Sequence, residues 1–549
     1  MDYQKLANLM FPNIDKNIEY YEKKYPKRDL PDGAVVSRFA PSPTGFVHMG
    51  SLRTAFIAKK ISTDTKGVFY LRIDDTDEKR SVKNGIQGII EDFKNFNFEI
   101  DEGRISETEE KGNYGPYLQS KRKEIYQTFA KYLVENNLAY PCFATEDDLV
   151  EIRKNQEAKK ERLGYYGRYA KSRNLSFSEI EKKIQNNEKF VLRLKSPGDF
   201  NKKIVCPDLV KGKIEFPEND LDIVLLKSDG VPTYHFAHLV DDYLMRTTHI
   251  LRGDEWLSSL PIHIQLFQIF EFPIPKYCHV APVNKKDGES IRKLSKRKDP
   301  EAALSFYHEK GIPVHAVYLY LMTTANSNFE GWLAQNKNLG LEDFKFDFKK
   351  MSASGSLFDL DKLLNISKNY ISKLSASEVY HNVLNWSDAY DKEFNELLKK
   401  YPDYSIKIFN IERKQKKPRK DFSAWSEVKD NMFYMYDELF NYKKIDFGLV
   451  NKAEKYKDII NLYIQNYFNI NDDKDTWFRK IKELAIEVGY AQEMNLYKEN
   501  PEKYLGNIAD ISNILRVSLT SKTTTPDLYE IMKLLGKERI QERFTKICG

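Results

Sequence analysis

Two short segments hold residue types that could act on a phosphate. His48-Met49-Gly50 stands between a strand-like and a helix-like run, which places an imidazole at a helix N-terminus, where free N–H groups and the helix dipole favour an anion. Gly50 lets a ligand come close to the backbone. Far downstream, Lys293-Leu294-Ser295-Lys296-Arg297 follows the polar run Asp287-Gly288-Glu289-Ser290-Ile291-Arg292, a composition expected of a mobile loop whose lysines close over phosphates. Such groups suit in-line displacement at the α-phosphorus of ATP with pyrophosphate leaving. Imidazole and ammonium donors stabilise the growing negative charge, and no covalent intermediate forms. Singly, each segment is weak, since a lone HxG or KxSK more commonly marks a capped helix or a solvated loop. Their conjunction carries the weight.

These residues need a scaffold. Ala34-Val35-Val36-Ser37-Arg38-Phe39-Ala40 reads as a buried strand ending at the breaker cluster Pro41-Ser42-Pro43-Thr44-Gly45. Leu52, Ala55, Phe56 and Ile61 then fall at helical spacing between Gly50 and about Lys66, and Gly67 precedes a strand from Val68 to Ile73. That is a βαβ unit, with a parallel sheet and a ligand crevice at its carboxyl edge. The pattern resumes with a strand over Asp222 to Lys227, a helix over Phe236 to Met245, a strand at His249 to Leu251 and a helix over Trp256 to Phe272, read as a second half of the same sheet. Between the halves, about 113–227, the chain changes character: a helix near Lys121 to Asn136, a charged amphipathic stretch through Glu151 to Arg162, and a strand at Phe190 to Lys195. This reads as an inserted domain. Beyond about residue 370 strand signals fade and Lys/Glu-rich helical patterns dominate, such as Trp477 to Val488 and Leu528 to Arg543.

At 549 residues the chain is too long for one compact core and predicts three or four domains. No apolar run approaches the roughly 18 residues of a membrane span, and the first thirty residues lack a secretory signal's apolar stretch, so a cytoplasmic location is expected. Cys142, Cys206, Cys278 and Cys548 lie far apart without CxxC spacing, which argues against a disulfide framework or a cysteine-based zinc site. A net charge of +6 suits a phosphate-bearing partner but does not specify one. The run from Arg413 to Lys420 is either a solvated charged loop or a phosphate contact.

The longer text around the two segments is more specific. Arg38-Phe39-Ala40-Pro41-Ser42-Pro43-Thr44-Gly45, Arg72-Ile73-Asp74-Asp75-Thr76-Asp77, Gly115-Pro116-Tyr117-Leu118-Gln119-Ser120 and Asp229-Gly230-Val231-Pro232-Thr233-Tyr234-His235-Phe236-Ala237 occur in that order. With the HIGH-like and KMSKS-like segments, the chain resembles the bacterial-type glutamyl-tRNA synthetases of class I over about residues 35–350. A glutaminyl enzyme would read more like PPEPNG at Ala40 to Gly45.

The resemblance implies a Rossmann-type α/β class I synthetase catalytic domain with an inserted α+β acceptor-binding domain, followed by an all-α anticodon-binding region. The expected layout is an N-terminal extension over 1–33, catalytic halves over 34–112 and 228–282, the inserted domain over 113–227, the KLSKR loop with a stem-contact domain over 283–370, and the anticodon-binding domain over 371–549. It implies glutamate--tRNA ligase activity: ATP with Mg2+, L-glutamate, and tRNA(Glu) as partners, tRNA(Gln) left open as a second acceptor, in a monomer that meets no membrane. His48, Lys293 and Lys296 are the implied catalytic residues. Thr44, His48, Gly50, Glu255, Trp256, Lys293, Lys296 and Arg297 are implied to hold ATP, and Arg38, Ser42, Asp74, Tyr234 and Arg252 to hold glutamate. A fixed guanidinium is the chemistry a side-chain carboxylate requires. Against this stand plainer roles: a surface salt bridge for Arg38 or Arg252, a helix cap for Asp74, core packing for Tyr234 or Trp256. The chain departs from many relatives at Asp74, where glutamate is usual, and at His238, where asparagine is common. Some relatives hold zinc near the position of Cys142; with one cysteine there, no resident metal is expected.

Overall fold

The computed structural model describes residues 2–77, 82–295 and 297–549. The chain divides into two compact units, Met1–Phe306 with Tyr318–Asp359, and Tyr307–Val317 with Leu360–Gly549. Among the described residues no helix is long and apolar enough to cross a membrane.

The first unit is organised by two groups of strands. Val36–Phe39 runs parallel to Val68–Leu71, which runs parallel to Glu102–Arg104. His249–Gly253 runs parallel to Lys276–Val280. Thr248 joins the groups: its N–H donates to Val36 O at 2.9 Å and its hydroxyl oxygen accepts from Val36 N at 2.9 Å. The Val36 strand therefore has its sequence neighbours on one side and the His249 strand on the other. Ligands of open α/β sheets bind at such a switch point, beyond the carboxyl ends. The helix Met49–Asp64 covers the sheet with Leu52, Ala55, Phe56, Ile57 and Ile61. Ser37 locks it down, donating to Ala58 O at 2.8 Å and pairing with Ser62 Oγ at 2.7 Å. Gly67 is required where the chain turns back, because a Cβ there would lie 1.9 Å from Val35 O.

The strand read from Asp222 to Lys227 is shorter, Val224–Leu226, and does not join the parallel sheet. It pairs antiparallel with Val191–Leu194, which pairs with Ala139–Cys142. A buried cluster sets that choice: Asp222 accepts from Tyr140 OH at 2.5 Å, from Ser196 N at 3.0 Å and from Arg173, while Arg193 donates to Asp222 O at 2.7 Å. A short apolar run reports burial but not its partner strand. The stretch 113–227 also returns to the main sheet, where Asp208, ending the strand Lys203–Asp208, pairs with Tyr277.

The leader is part of the core. Asp2 and Asn17 cap helices Tyr3–Met10 and Ile18–Lys24, whose Leu6, Ala7 and Tyr21 are buried with Tyr126, Phe129 and Leu133. Arg28 then forks onto Glu102 at 2.8 and 3.0 Å.

The second unit is built of helices around Val379, Val383, Phe394, Ile481, Leu515 and Ile531. The last, Leu528–Cys548, breaks at Gly536, where φ is 80°. In the basic run, Arg413 is spent internally, donating to Phe409 O, Ile371 O and Leu374 O at 2.8 Å each, and Arg419 pairs with Asp421. Lys414, Lys416, Lys417 and Lys420 are exposed.

Candidate active site

A cavity of about 640 Å3 opens beyond the carboxyl ends of the Val36 and His249 strands. Its wall includes Arg38, Ser42, Thr44, His48, Gly50, Asp74, Tyr234, Arg252, Glu255, Trp256 and Lys293. Residues 255 apart in sequence, Arg38 and Lys293, meet there because the two strands lie side by side.

Arg38 is buried and its fork is occupied: Nε and Nη2 donate to the two oxygens of Asp242 at 3.0 and 3.2 Å, and Nη1 donates to Leu251 O at 3.3 Å. Arg72, fully buried, holds Asp74 through Nε at 2.7 Å and Nη2 at 3.3 Å and reaches Asp242 through Nη1 at 3.2 Å. Arg122 and Gln119 close on Asp241 at 2.6 and 2.8 Å. Arg38, Arg72 and Arg122 thus balance Asp74, Asp241 and Asp242 in charge. Burial opposes ionisation of Asp242, yet Arg38 and Arg72 hold its pKa well below the ordinary range. Burial dominates at Asp74 and pushes its pKa up to about 6 in spite of Arg72. Neither the surface bridge for Arg38 nor the helix cap for Asp74 is what the chain adopts.

Arg252 is different. Its Nε donates to His279 Nε2 at 2.9 Å, Nη1 contacts Tyr234 OH at 3.2 Å and His263 Nδ1 at 2.9 Å, and Nη2 donates to Trp256 O at 3.3 Å. Among the described residues these partners are uncharged. Burial holds His263 well below its ordinary pKa, His235 down to about 4 and His238 down to about 3. A buried guanidinium is therefore oriented by imidazoles while its charge stays available. Tyr234 opens the helix Tyr234–Leu244 and packs on Trp256, with ring centroids 4.2 Å apart. His238 stacks against Tyr234, and its Nε2 lies 3.1 Å from Tyr277 OH.

At the other end of the cavity His48 caps the Met49–Asp64 helix, its Nδ1 accepting from Ser51 N at 3.0 Å. The cap and the cavity wall are the same residue. Gly50 has a further reason to be glycine: a Cβ would stand 3.1 Å from His48 Cε1 and Nδ1. Ser42 and Thr44 lie exposed on the loop between strand and helix, which is pinned by Asp74 N donating to Pro41 O at 3.0 Å.

The polar run expected to be a loop is a hairpin. Val283–Asp287 pairs antiparallel with Ser290–Lys293 around Asp287-Gly288, with Gly288 at φ +62°. Asp-Gly between strands is a turn signal, but both hairpin faces carry charge, so no alternation announced the strands. Arg292 clamps its base onto Asp299 at 2.6 and 2.9 Å, and hydrogen bonding from Arg292 depresses the pKa of Asp299 strongly. Lys293, ending the hairpin, lies 3.7 Å from Glu255. Arg297 is exposed and outside the cavity wall, and Lys296 lies outside the described residues.

Sequence reading missed Asp242, Arg72, Gln119, His263, His279 and Asp208. The acidic pair Asp241-Asp242 in a helix whose other residues are apolar, aromatic or histidine was the available signal for the first.

Comparison with known proteins identifies the family. Residues 34–364 match the family described as tRNA synthetases class I (E and Q), catalytic domain, and residues 502–548 match an anticodon binding domain. The chain is 48% identical to a glutamate--tRNA ligase of Clostridium perfringens and 46% identical to one of Clostridium beijerinckii, each covered end to end, 100% of both chains. A glutamate tRNA ligase from Elizabethkingia meningosepticum, solved in complex with its amino acid, superposes with a TM-score of 0.73 at 26% identity over 94% of this chain and 99% of that one. With the family match over residues 34–364 and these relatives matched end to end, the chain belongs to the glutamyl-tRNA synthetase family of class I aminoacyl-tRNA synthetases.

Proposed function

We propose that this cavity joins L-glutamate to ATP as glutamyl-adenylate, releasing pyrophosphate, and then transfers the glutamyl group to the 3′ end of tRNA(Glu), releasing AMP. The observation that carries the reading is Arg252: a buried cation whose described partners are all neutral lacks only an anion, and a glutamate side chain supplies one. Glutamine would leave that charge uncompensated in a desolvated site, the kind of penalty that gives strong discrimination.

In this reading Asp74 faces the substrate ammonium, and Arg38, Ser42 and Tyr234 frame the pocket. The α-carboxylate attacks the α-phosphorus in line. His48, the helix N–H groups behind Gly50, Lys293 and Lys296 stabilise the charge that builds on the phosphates, with Thr44, Glu255 and Trp256 around the nucleoside and Arg297 assisting from the segment after the hairpin. Mg2+ enters with ATP as part of the substrate, since this ion is held chiefly by phosphate oxygens and water. The inserted segment 113–227 grips the acceptor end, 283–370 meets the stem, and 371–549 reads the anticodon; whether tRNA(Gln) is charged as well depends on those last contacts. The enzyme works as a cytoplasmic monomer without a resident metal.

ATP–pyrophosphate exchange with cognate tRNA present tests the proposal. Glutamate supports exchange and glutamine does not; Arg252→Lys, which keeps the charge but loses the planar fork, raises KM for glutamate about 100-fold. Absence of glutamate-dependent exchange under those conditions would sink it.

A further inference from the structure

Resting on that reading of Arg252, we propose that Asp208 and His279 are positioning residues for glutamate recognition, fixing through one hydrogen-bond chain the direction in which Arg252 presents its guanidinium.

The chain begins outside the catalytic halves. Asp208 ends the strand Lys203–Asp208 of the inserted segment and lies beside Tyr277 in the main sheet. Its Oδ1 accepts from Val210 N at 2.9 Å and Lys211 N at 2.8 Å. Its Oδ2 accepts from His279 N at 2.9 Å and lies 2.7 Å from His279 Nδ1. A carboxylate so placed can only accept, so the imidazole proton sits on Nδ1 and Nε2 presents a lone pair. That lone pair meets Arg252 Nε–H at 2.9 Å. Asp208 and His279 are 7% and 0% exposed, so neither partner is exchanged for bulk water.

The outcome is a guanidinium with a set orientation. Of its five N–H groups, four are engaged by His279, His263, Tyr234 and Trp256 O, leaving one on Nη2. Tyr234 OH accepts from Arg252, so its own hydrogen is available as a second donor to the same carboxylate. A direct aspartate at the place of His279 would orient Arg252 equally well but cancel its charge. Interposing a neutral imidazole orients without cancelling. Burial agrees with that role, holding the pKa of His279 below its ordinary value.

Three variants test this in the exchange assay with cognate tRNA, each checked for folding by thermal melting. His279→Leu removes the acceptor and raises KM for glutamate about tenfold, with KM for ATP within about twofold. His279→Gln, which can set an amide oxygen where Nε2 stands, recovers most of that rise. Asp208→Asn places an N–H against the imidazole, reverses the tautomer and follows His279→Leu. If His279→Leu does not fold, the contrast between His279→Gln and Asp208→Asn decides. Equal rises in the Gln and Leu variants, an unmoved glutamate KM in His279→Leu and Asp208→Asn, or an ATP KM rising in step would each overturn the assignment. Wild-type protein without glutamate-dependent exchange would instead overturn the proposed function itself.

Discussion

Asp74 carries a negative charge into a place where burial resists it, and its pKa of about 6 puts that contest near working pH. Two consequences have opposite signs. Because the folded-state pKa lies above the ordinary value of 3.8, folding favours the protonated form, and Asp74's contribution to stability declines as pH rises from about 4 to about 6. Recognition of an ammonium needs the ionised form, so KM for glutamate is lowest above about pH 7 and rises as pH falls, approaching tenfold per unit below about pH 6. Asp74→Asn raises KM at pH 7.5 and flattens that dependence; steady-state exchange kinetics across pH 5 to 8, with an unchanged slope in the variant, would remove Asp74 from this role. The residues around it were only partly legible. Arg38, Asp74 and Tyr234 stand in readable motifs and Arg252 follows a readable strand, but that Arg38 is neutralised by Asp242 and Arg252 is not follows from which helix packs behind which strand. Sequence names the charges; tertiary packing assigns the pairs.

At the scale of elements, the legible parts were those with a period. The strand from Val36, the helix after His48 and the strand from Val68 were foreseen to within about two residues because burial imprints alternation and helical spacing on them. The Val283–Lys293 hairpin was read as a loop because it buries little, and Val224–Leu226 was placed in the wrong sheet because apolarity does not name a partner. The first turn of the Met49–Asp64 helix yields a sharper expectation. His48 curls back over it, and the space above Gly50 Cα is filled by the imidazole. Gly50→Ala therefore displaces the ring while favouring the helix itself by up to about 1 kcal/mol. Exchange kcat falls about tenfold in Gly50→Ala with the melting midpoint kept, and His48→Ala falls further. Full activity in Gly50→Ala would mean that the imidazole's position there is not what catalysis uses.

The leader shows what the first unit requires as a whole. Arg28 joins Glu102, which accepts from Tyr117 OH at 2.7 Å and so bridges from the leader to the strand edge and to the segment leading into Gln119. Arg28 also stacks on Tyr114, 3.7 Å from the ring centroid, and its Nε donates to Met245 O at 3.1 Å. Arg28→Ala strands a largely buried carboxylate and removes that stacking, a loss of about 3 kcal/mol. Thermal melting registers it as a clear drop in the midpoint; an unchanged midpoint would make the leader a passenger. None of this was readable in residues 1–33, whose partners lie from about 70 to 220 positions away.

The second unit poses the remaining question of scale, how a helical body meets a long polyanion. Its basic run sorts into residues already committed and residues still exposed: Arg413 is tied to carbonyl oxygens and Arg419 to Asp421, whereas Lys416, Lys417 and Lys420 face solvent. An exposed lysine that neutralises a tRNA phosphate releases a counterion and adds about 0.7 to 0.9 to the slope of log affinity against log salt. Replacing Lys416, Lys417 and Lys420 with glutamine therefore makes the slope shallower by about two if those side chains lie on the tRNA path. Arg413→Gln behaves oppositely, since it strips donors from Ile371 O and Leu374 O: stability drops while the salt slope stays. Filter binding of cognate tRNA at 50 to 300 mM salt separates the two, and an unaltered slope in the triple variant assigns those lysines to a solvated loop.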